Sequence, residues 1–355
     1  MEKKKSQVDK YHQKKRSARF ITCILLVLLV ILAVLSMLIG QYGISPIQCA
    51  RILMGAEKTD ASTVMMLRNI LVNIRLSRTI AAILIGASLS LAGLTYQCVF
   101  RNILVSQDIL GVNTGACAGA ATAIILDLST IYIQGFSFMA GILSVLLVFI
   151  LSRAFRTEKT LSLILSGILI SGLMSSVLGY IKYTANPESH LQTIVFWIMG
   201  DISSVSMKQI SEISIPAFVC MTLILINKWK LNYFCYSDSE AISLGFNVNA
   251  FRTLFIVCAT ILVSLSVSVA GSIGWIGLVM PLLARILVGT DNNDTAGLTL
   301  ILGAVFLLLM DIINRLISSA ELPISILTGI VGTPIFVVCL VLKQKGEQSG
   351  YARST

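Results

Sequence analysis

Three arginines stand where charge is otherwise scarce. Arg75 and Arg78 are three residues apart, a spacing that puts both guanidiniums on one helix face, and Arg315 closes a long apolar run. A guanidinium offers a planar fork that matches a carboxylate, so this set is suited to recognising acidic groups on a partner protein. Snorkelling toward lipid headgroups is the alternative. If the two arginines begin a membrane span, they sit at a helix N-terminus and oppose its dipole, at about 0.3–1 kcal/mol each. Asp311, the one carboxylate well inside an apolar run, lies four residues before Arg315 and can pair with it.

A second group of residues dictates a short helix. Ser237-Asp-Ser-Glu240 has the spacing of a capping box, with Ser237 as N-cap and Glu240 at the third helical position. Ala241, Ile242 and Leu244 supply an apolar face, Gly245 a stop, and Asn249 a cap for the next turn. Few basic residues accompany this face, so a protein is a better partner for it than anionic lipid.

Other chemistry is missing from the sequence. No GxxxxGK[ST] occurs, which leaves any ATP to be hydrolysed on another chain. His12 and His190 have no companions at metal-ligand spacing, and the eight cysteines show no CxxC, so neither a metal centre nor a disulfide framework is expected.

The elements that hold these groups are membrane helices. Of 355 residues 56% are hydrophobic and 12% charged, and mean hydropathy is +0.88, which excludes a soluble domain. Continuous runs such as Phe20–Ile39 exclude the alternating pattern of a membrane barrel and match a full helical span. We expect an all-α polytopic membrane bundle of about ten spans, near 20–40, 79–97, 109–127, 136–152, 161–181, 209–227, 253–270, 273–284, 297–314 and 323–342. A basic cytoplasmic tail, 1–19, precedes this transmembrane domain of 20–342, whose longest cytoplasmic segment is 228–252; a second tail covers 343–355. With both termini inside, 19 of the 27 Lys and Arg fall on cytoplasmic segments, as the positive-inside rule requires. The net charge of +10 therefore reads as a membrane-orientation signal, with no nucleic-acid partner. Gly111-x3-Gly115-x3-Gly119, Gly86 and Gly93, and Gly271, Gly274 and Gly277 have the spacing that lets helices approach closely.

Several fixed spacings together resemble a known family. Arg75-x2-Arg78, Gly86-Ala87, Gly93-x3-Gln97-x3-Arg101-Asn102, Asp108-x2-Gly111 and Gly115-Ala116 resemble the first signature block of ATP-binding-cassette importer permeases for ferric siderophores, haem or cobalamin. Trp197-x2-Gly200, Glu240-x4-Gly245, Gly271-x2-Gly274-Trp-Ile-Gly277, Pro281-x3-Arg285, Asp311-x3-Arg315, Glu321-x-Pro323 and Gly332-x-Pro334 follow in the family's order, so the resemblance spans roughly residues 20–342. The chain departs from the family at Ser77, Ile103 and Gln107, each in place of proline, at Leu282 in place of histidine and at Ser325 in place of glycine.

The resemblance implies a type II importer permease in a bacterial plasma membrane, with no cofactor of its own. It implies pairing with a second permease, two ATPase subunits and an external substrate-binding protein that delivers a metal chelate, a ferric siderophore in the first instance. It further implies that Arg75, Arg78 and Arg315 dock the binding protein. Ser237, Glu240, Ala241, Leu244 and Gly245 form the element that couples to the ATPase, and Thr160 and Leu161 belong to a cytoplasmic gate. Two rivals are weakened by the residues themselves, because neither finds the groups it needs within the spans. An ion-coupled secondary carrier requires ionisable groups in mid-span, and an intramembrane enzyme requires a catalytic dyad or a metal cluster there.

Overall fold

A computed structural model describes residues 2–40, 42–53, 60–155, 158–317 and 322–351. Among these, the chain forms fourteen α-helices and no strand. They are α1 (Glu2–Leu38), α2 (Pro46–Leu53), α3 (Ala61–Asn69), α4 (Ser77–Val99), α5 (Val112–Ile125), α6 (Thr130–Ser152), α7 (Lys159–Thr184) and α8 (His190–Met199). They continue as α9 (Met207–Ile226), α10 (Asp238–Ser243), α11 (Val248–Ala270), α12 (Ile276–Val288), α13 (Asn292–Ile317) and α14 (Ile324–Tyr351). A π-helical segment, Ile70–Leu76, joins α3 to α4, and a 3-10 segment, Lys228–Cys235, precedes α10.

Eight helical stretches are long and apolar enough to cross a membrane. The expected count of about ten is reached only with α5 and α12, which are 14 and 13 residues long. At about 1.5 Å per residue each falls short of a hydrocarbon core of roughly 30 Å. Both are largely buried among other helices, so their length is set by neighbouring backbone and not by lipid. The core is built from α4, α11, α12 and α13, while α1, α6, α7, α9 and α14 keep apolar faces outward.

Close helix contact depends on a few glycines. A methyl group at Gly86 would collide with the Gly303 carbonyl, and one at Gly93 with the Gly277 backbone. Those contacts seat α4 on α13 and α12. Gly115 and Gly119 likewise admit α6. Gly111 does not belong to that interface. Its φ of +68° makes it the left-handed residue that opens α5.

Two expected boundaries need correction. The second span does not begin near residue 79, because a continuous helix runs from Ser62 to Val99. Ser77 replaces the helix-breaking proline, and its hydroxyl donates to the carbonyls of Asn73 (2.6 Å) and Ile74 (3.0 Å) inside the helix. Arg75 and Arg78 therefore lie within a helix, and the dipole penalty of an N-terminus does not apply. In addition, α11 is capped by the Asn247 side chain, which accepts from the Ala250 amide at 3.1 Å. The expected cap, Asn249, instead accepts from Lys159. Glu321, residues 352–355 and the side chain of His12 lie outside the described residues.

Candidate functional site

Two of the three arginines converge on one carboxylate, and the third binds backbone beside them. Arg78 and Asp311 are 4% and 0% exposed, and Arg78 Nε donates to Asp311 Oδ1 at 2.5 Å. Arg315 reaches the other oxygen of Asp311, which bears out the expected i, i+4 pair, and also donates to the Ser36 carbonyl at 2.9 Å. Arg75, also 4% exposed, donates to the carbonyls of Met37 (2.9 Å), Leu38 (3.1 Å) and Tyr42. A guanidinium can serve several carbonyls because its donors diverge in one plane. The set thus fastens the end of α1 and the turn after it onto the π segment, α4 and α13. The same three arginines line a cavity of about 250 Å³ with Gly40, Tyr42 and Ile74. As isolated exposed forks they are not present; as walls of a basic cavity they are.

About 35 Å away, given the 23 residues of α4 at 1.5 Å each, lies the opposite end of the bundle. Here α10 forms as the spacing requires. The Ser237 hydroxyl accepts from the Glu240 amide at 3.3 Å, and Glu240 accepts from the Ser237 amide at 2.8 Å. The Ser237 hydroxyl, which also donates to the Glu240 carboxylate at 2.8 Å, and then the Ser237 amide hold the Glu240 carboxyl below its ordinary value. Gly245, with φ of +80°, closes the helix: its amide donates to Ile242 and that of Phe246 to Ala241. The apolar face divides. Ala241 is 1% exposed against the bundle, whereas Ile242 and Leu244 face outward at 58% and 62%.

Sequence reasoning missed what fastens α10. Asp238 accepts from Arg101 at 2.6 Å and from Arg252 at 2.9 and 3.0 Å, so one carboxylate ties α10 to the end of α4 and to α11. Partial burial pushes the Asp238 carboxyl up, yet Arg252 and then Arg101 outweigh burial and hold it below the usual carboxylate value. Arg252 also donates to the Thr160 hydroxyl at 3.3 Å, which links α10 to the first turn of α7. Thr160 is buried and Leu161 exposed, so the two gate candidates face different ways. The signal for Asp238 lay in the capping box itself. Arg252, 14 residues on, carried none.

The departures from the family pattern also find partners. Gln107 donates to the Ile273 carbonyl at 2.7 Å and so ties the turn after α4 to the loop before α12. Ser325 donates to the Met199 carbonyl at 2.6 Å, joining α14 to α8. Leu282 is buried within α12. His190, which has no companion at metal-ligand spacing in the sequence, meets the distant Asp127 at 3.0 Å; the two form an ion pair only when the imidazole is protonated. Among the described residues no group of three or more His, Cys, Asp or Glu is placed to hold a metal.

Comparisons with known proteins agree with this architecture. The model of the FecCD transport family matches residues 28–342. The molybdate import system permease protein of Haemophilus influenzae is 35% identical over 311 residues, covering 88% of this chain and 92% of that one. A Helicobacter pylori protein named as an iron chelatin transport system permease is 38% identical over 272 residues, 76% of this chain and 81% of that one. A solved metal-chelate type transporter of the ATP-binding-cassette class, in an inward-facing conformation, superposes with a TM-score of 0.82 at 34% identity, over 91% of this chain and 99% of the other. An all-helical membrane bundle, signature spacings in family order and a match across almost the whole chain together place this protein in the FecCD transport family.

Proposed function

We propose that the chain is the permease subunit of an ATP-driven importer for a metal chelate, a ferric siderophore in the first instance, handed over by an external binding protein. The observation that carries the reading is α10: a capped helix at the end of the bundle, anchored through Asp238, with Ile242 and Leu244 presented outward. Such a face needs an apolar partner, and an ATPase subunit supplies one. Thr160, joined to α10 through Arg252, and its neighbour Leu161 form the cytoplasmic gate that the ATPase moves.

At the other end the arginine cavity receives an acidic residue of the binding protein. The three guanidiniums that line it offer donors matched to a carboxylate. A second permease packs beside α7, whose outward face carries Gly172, Ser175, Ser176 and Gly179. A path of small uncharged groups passes a bulky chelate without holding it.

A second cargo has its own support. The molybdate relative covers 88% of this chain, so an oxyanion delivered by the same route is the competing substrate. Uptake assays with labelled ferric siderophore, molybdate and cobalamin, each with its binding protein, decide between them. We expect siderophore-dependent accumulation of iron. Accumulation of molybdate alone overturns the chelate reading and leaves the importer reading intact.

A further inference from the structure

We infer that the cavity between α6, α7 and α11 binds the phosphate of an anionic phospholipid, and that this lipid steadies the arginine that anchors α10. The cavity, about 540 Å³, is large enough for a headgroup and, among the described residues, is lined by Arg153, Lys159, Arg252, Ser152 and Ser162 with no carboxylate. It also lies at the N-terminus of α7, whose N-cap Glu158 makes no side-chain capping bond, so helical amides add to the positive potential.

The independent observation is Arg252. Its residue is 3% exposed, its Nη2 serves Asp238 and Thr160, and its Nε and Nη1 have no hydrogen-bond partner among the described residues. A buried charged donor left unmade is costly, and a phosphate oxygen is the acceptor that best matches a guanidinium edge. Phe234 covers the guanidinium on another side, its ring centroid 5.9 Å away, which leaves the cavity as the place for an anion to approach.

The cavity does not end in polar surface. Phe149 is shared with a narrow apolar groove of about 120 Å³ formed by Ile142, Val145, Leu146, Val257 and Thr260 on α6 and α11. Leu146 and Ile150 beside it face outward. A phosphate site that opens into an apolar groove along two membrane helices fits a headgroup followed by an acyl chain. Free phosphate would use only the first half. Because Arg252 holds Asp238, an occupied site would stiffen α10 where the ATPase is proposed to sit; the lipid site itself does not depend on that reading.

Native mass spectrometry of the full chain, purified in detergent with phosphatidylglycerol or phosphatidylcholine, tests this. We expect phosphatidylglycerol to be retained preferentially. The double variant Arg153→Gln/Lys159→Gln, which alters exposed side chains and spares Arg252, should reduce that retention roughly tenfold or more, since each basic residue at a membrane surface contributes to anionic attraction. Val257→Trp, which fills the groove, should expel the lipid. A melting-temperature series of the delipidated chain with inorganic phosphate separates the two sources. Stabilisation by phosphate that survives Val257→Trp and is lost in the double variant assigns the site to phosphate as such. Equal retention of both lipids, or unchanged retention in a folded double variant, together with no response to phosphate, overturns the proposal.

Discussion

Arg78 Nε lies 2.5 Å from Asp311 Oδ1, joining two helices 233 residues apart in sequence at a site sealed from solvent. Arg315 completes the clamp from one turn further along α13. Removing the shared carboxylate takes a counter-charge away from two buried cations. Breaking a buried pair from one side costs about 3–5 kcal/mol. Asp311→Asn should therefore lower the melting temperature of the purified chain markedly, as followed by circular dichroism. A melting temperature within error of the wild type would show that the clamp contributes no stability.

Arg75 tests docking more cleanly because it takes no part in that clamp. It holds the carbonyls of Met37, Leu38 and Tyr42 around the arginine-lined cavity. Hydrogen bonds from a charged donor contribute about 1.5–3 kcal/mol, so Arg75→Ala should weaken binding-protein affinity about tenfold or more per folded molecule in reconstituted vesicles. An unchanged affinity removes this end of the molecule from the docking surface.

How much of this was legible in the sequence depended on the range of the interaction. Ser237 and Glu240 act within one helical turn, and Asp311 and Arg315 within one more, so their spacing stated the outcome in advance. The Arg252–Asp238 tie also spans few residues, but it depends on the angle between α10 and α11, which no periodicity records. The burial of Arg75 and Arg78 was hidden for another reason. Ser77 lets the helix continue where a proline would have ended it, so the arginines enter the bundle instead of standing before it. Short α5 and α12 look like full spans in the sequence because an apolar run is the same whether lipid or protein surrounds it.

Gly93 and Gly277 set how closely α4 and α12 approach. Overpacking a well-filled core costs typically about 1–3 kcal/mol. Gly93→Val should exceed that range, because the obstruction is backbone and cannot rotate aside. Gly297→Ala, at a position with open space around the added methyl, serves as the control and should leave stability unchanged. Thermal unfolding of the two variants in the same detergent provides the comparison; equal melting temperatures contradict the packing argument.

The Asp238 tie sets a pH dependence. Its folded carboxyl titrates below the ordinary value of about 3.9. The stability it contributes is then present above the unfolded value and is lost as pH falls through the folded one. Proteolysis of the 228–252 segment should be flat between about pH 5 and 8 and should rise only in stronger acid. Asp238→Asn should be more readily cleaved throughout that range. Protection that changes near neutral pH would assign the tie to another group.

Leu244 bears on the central claim, that this chain moves cargo only when a separate ATPase drives α10. Because Leu244 is 62% exposed, Leu244→Glu should leave the isolated chain folded; against an apolar partner surface the new carboxylate is costly. The deciding measurement is cargo uptake into proteoliposomes that hold the chain, its ATPase subunits and its binding protein, with and without ATP, for wild type and Leu244→Glu. Uptake is expected to require ATP and the ATPase subunits, the chain alone to hydrolyse no ATP, and the folded variant to lose uptake. Uptake driven by an ion gradient without ATPase subunits, or full ATP-driven uptake by Leu244→Glu, would contradict that claim.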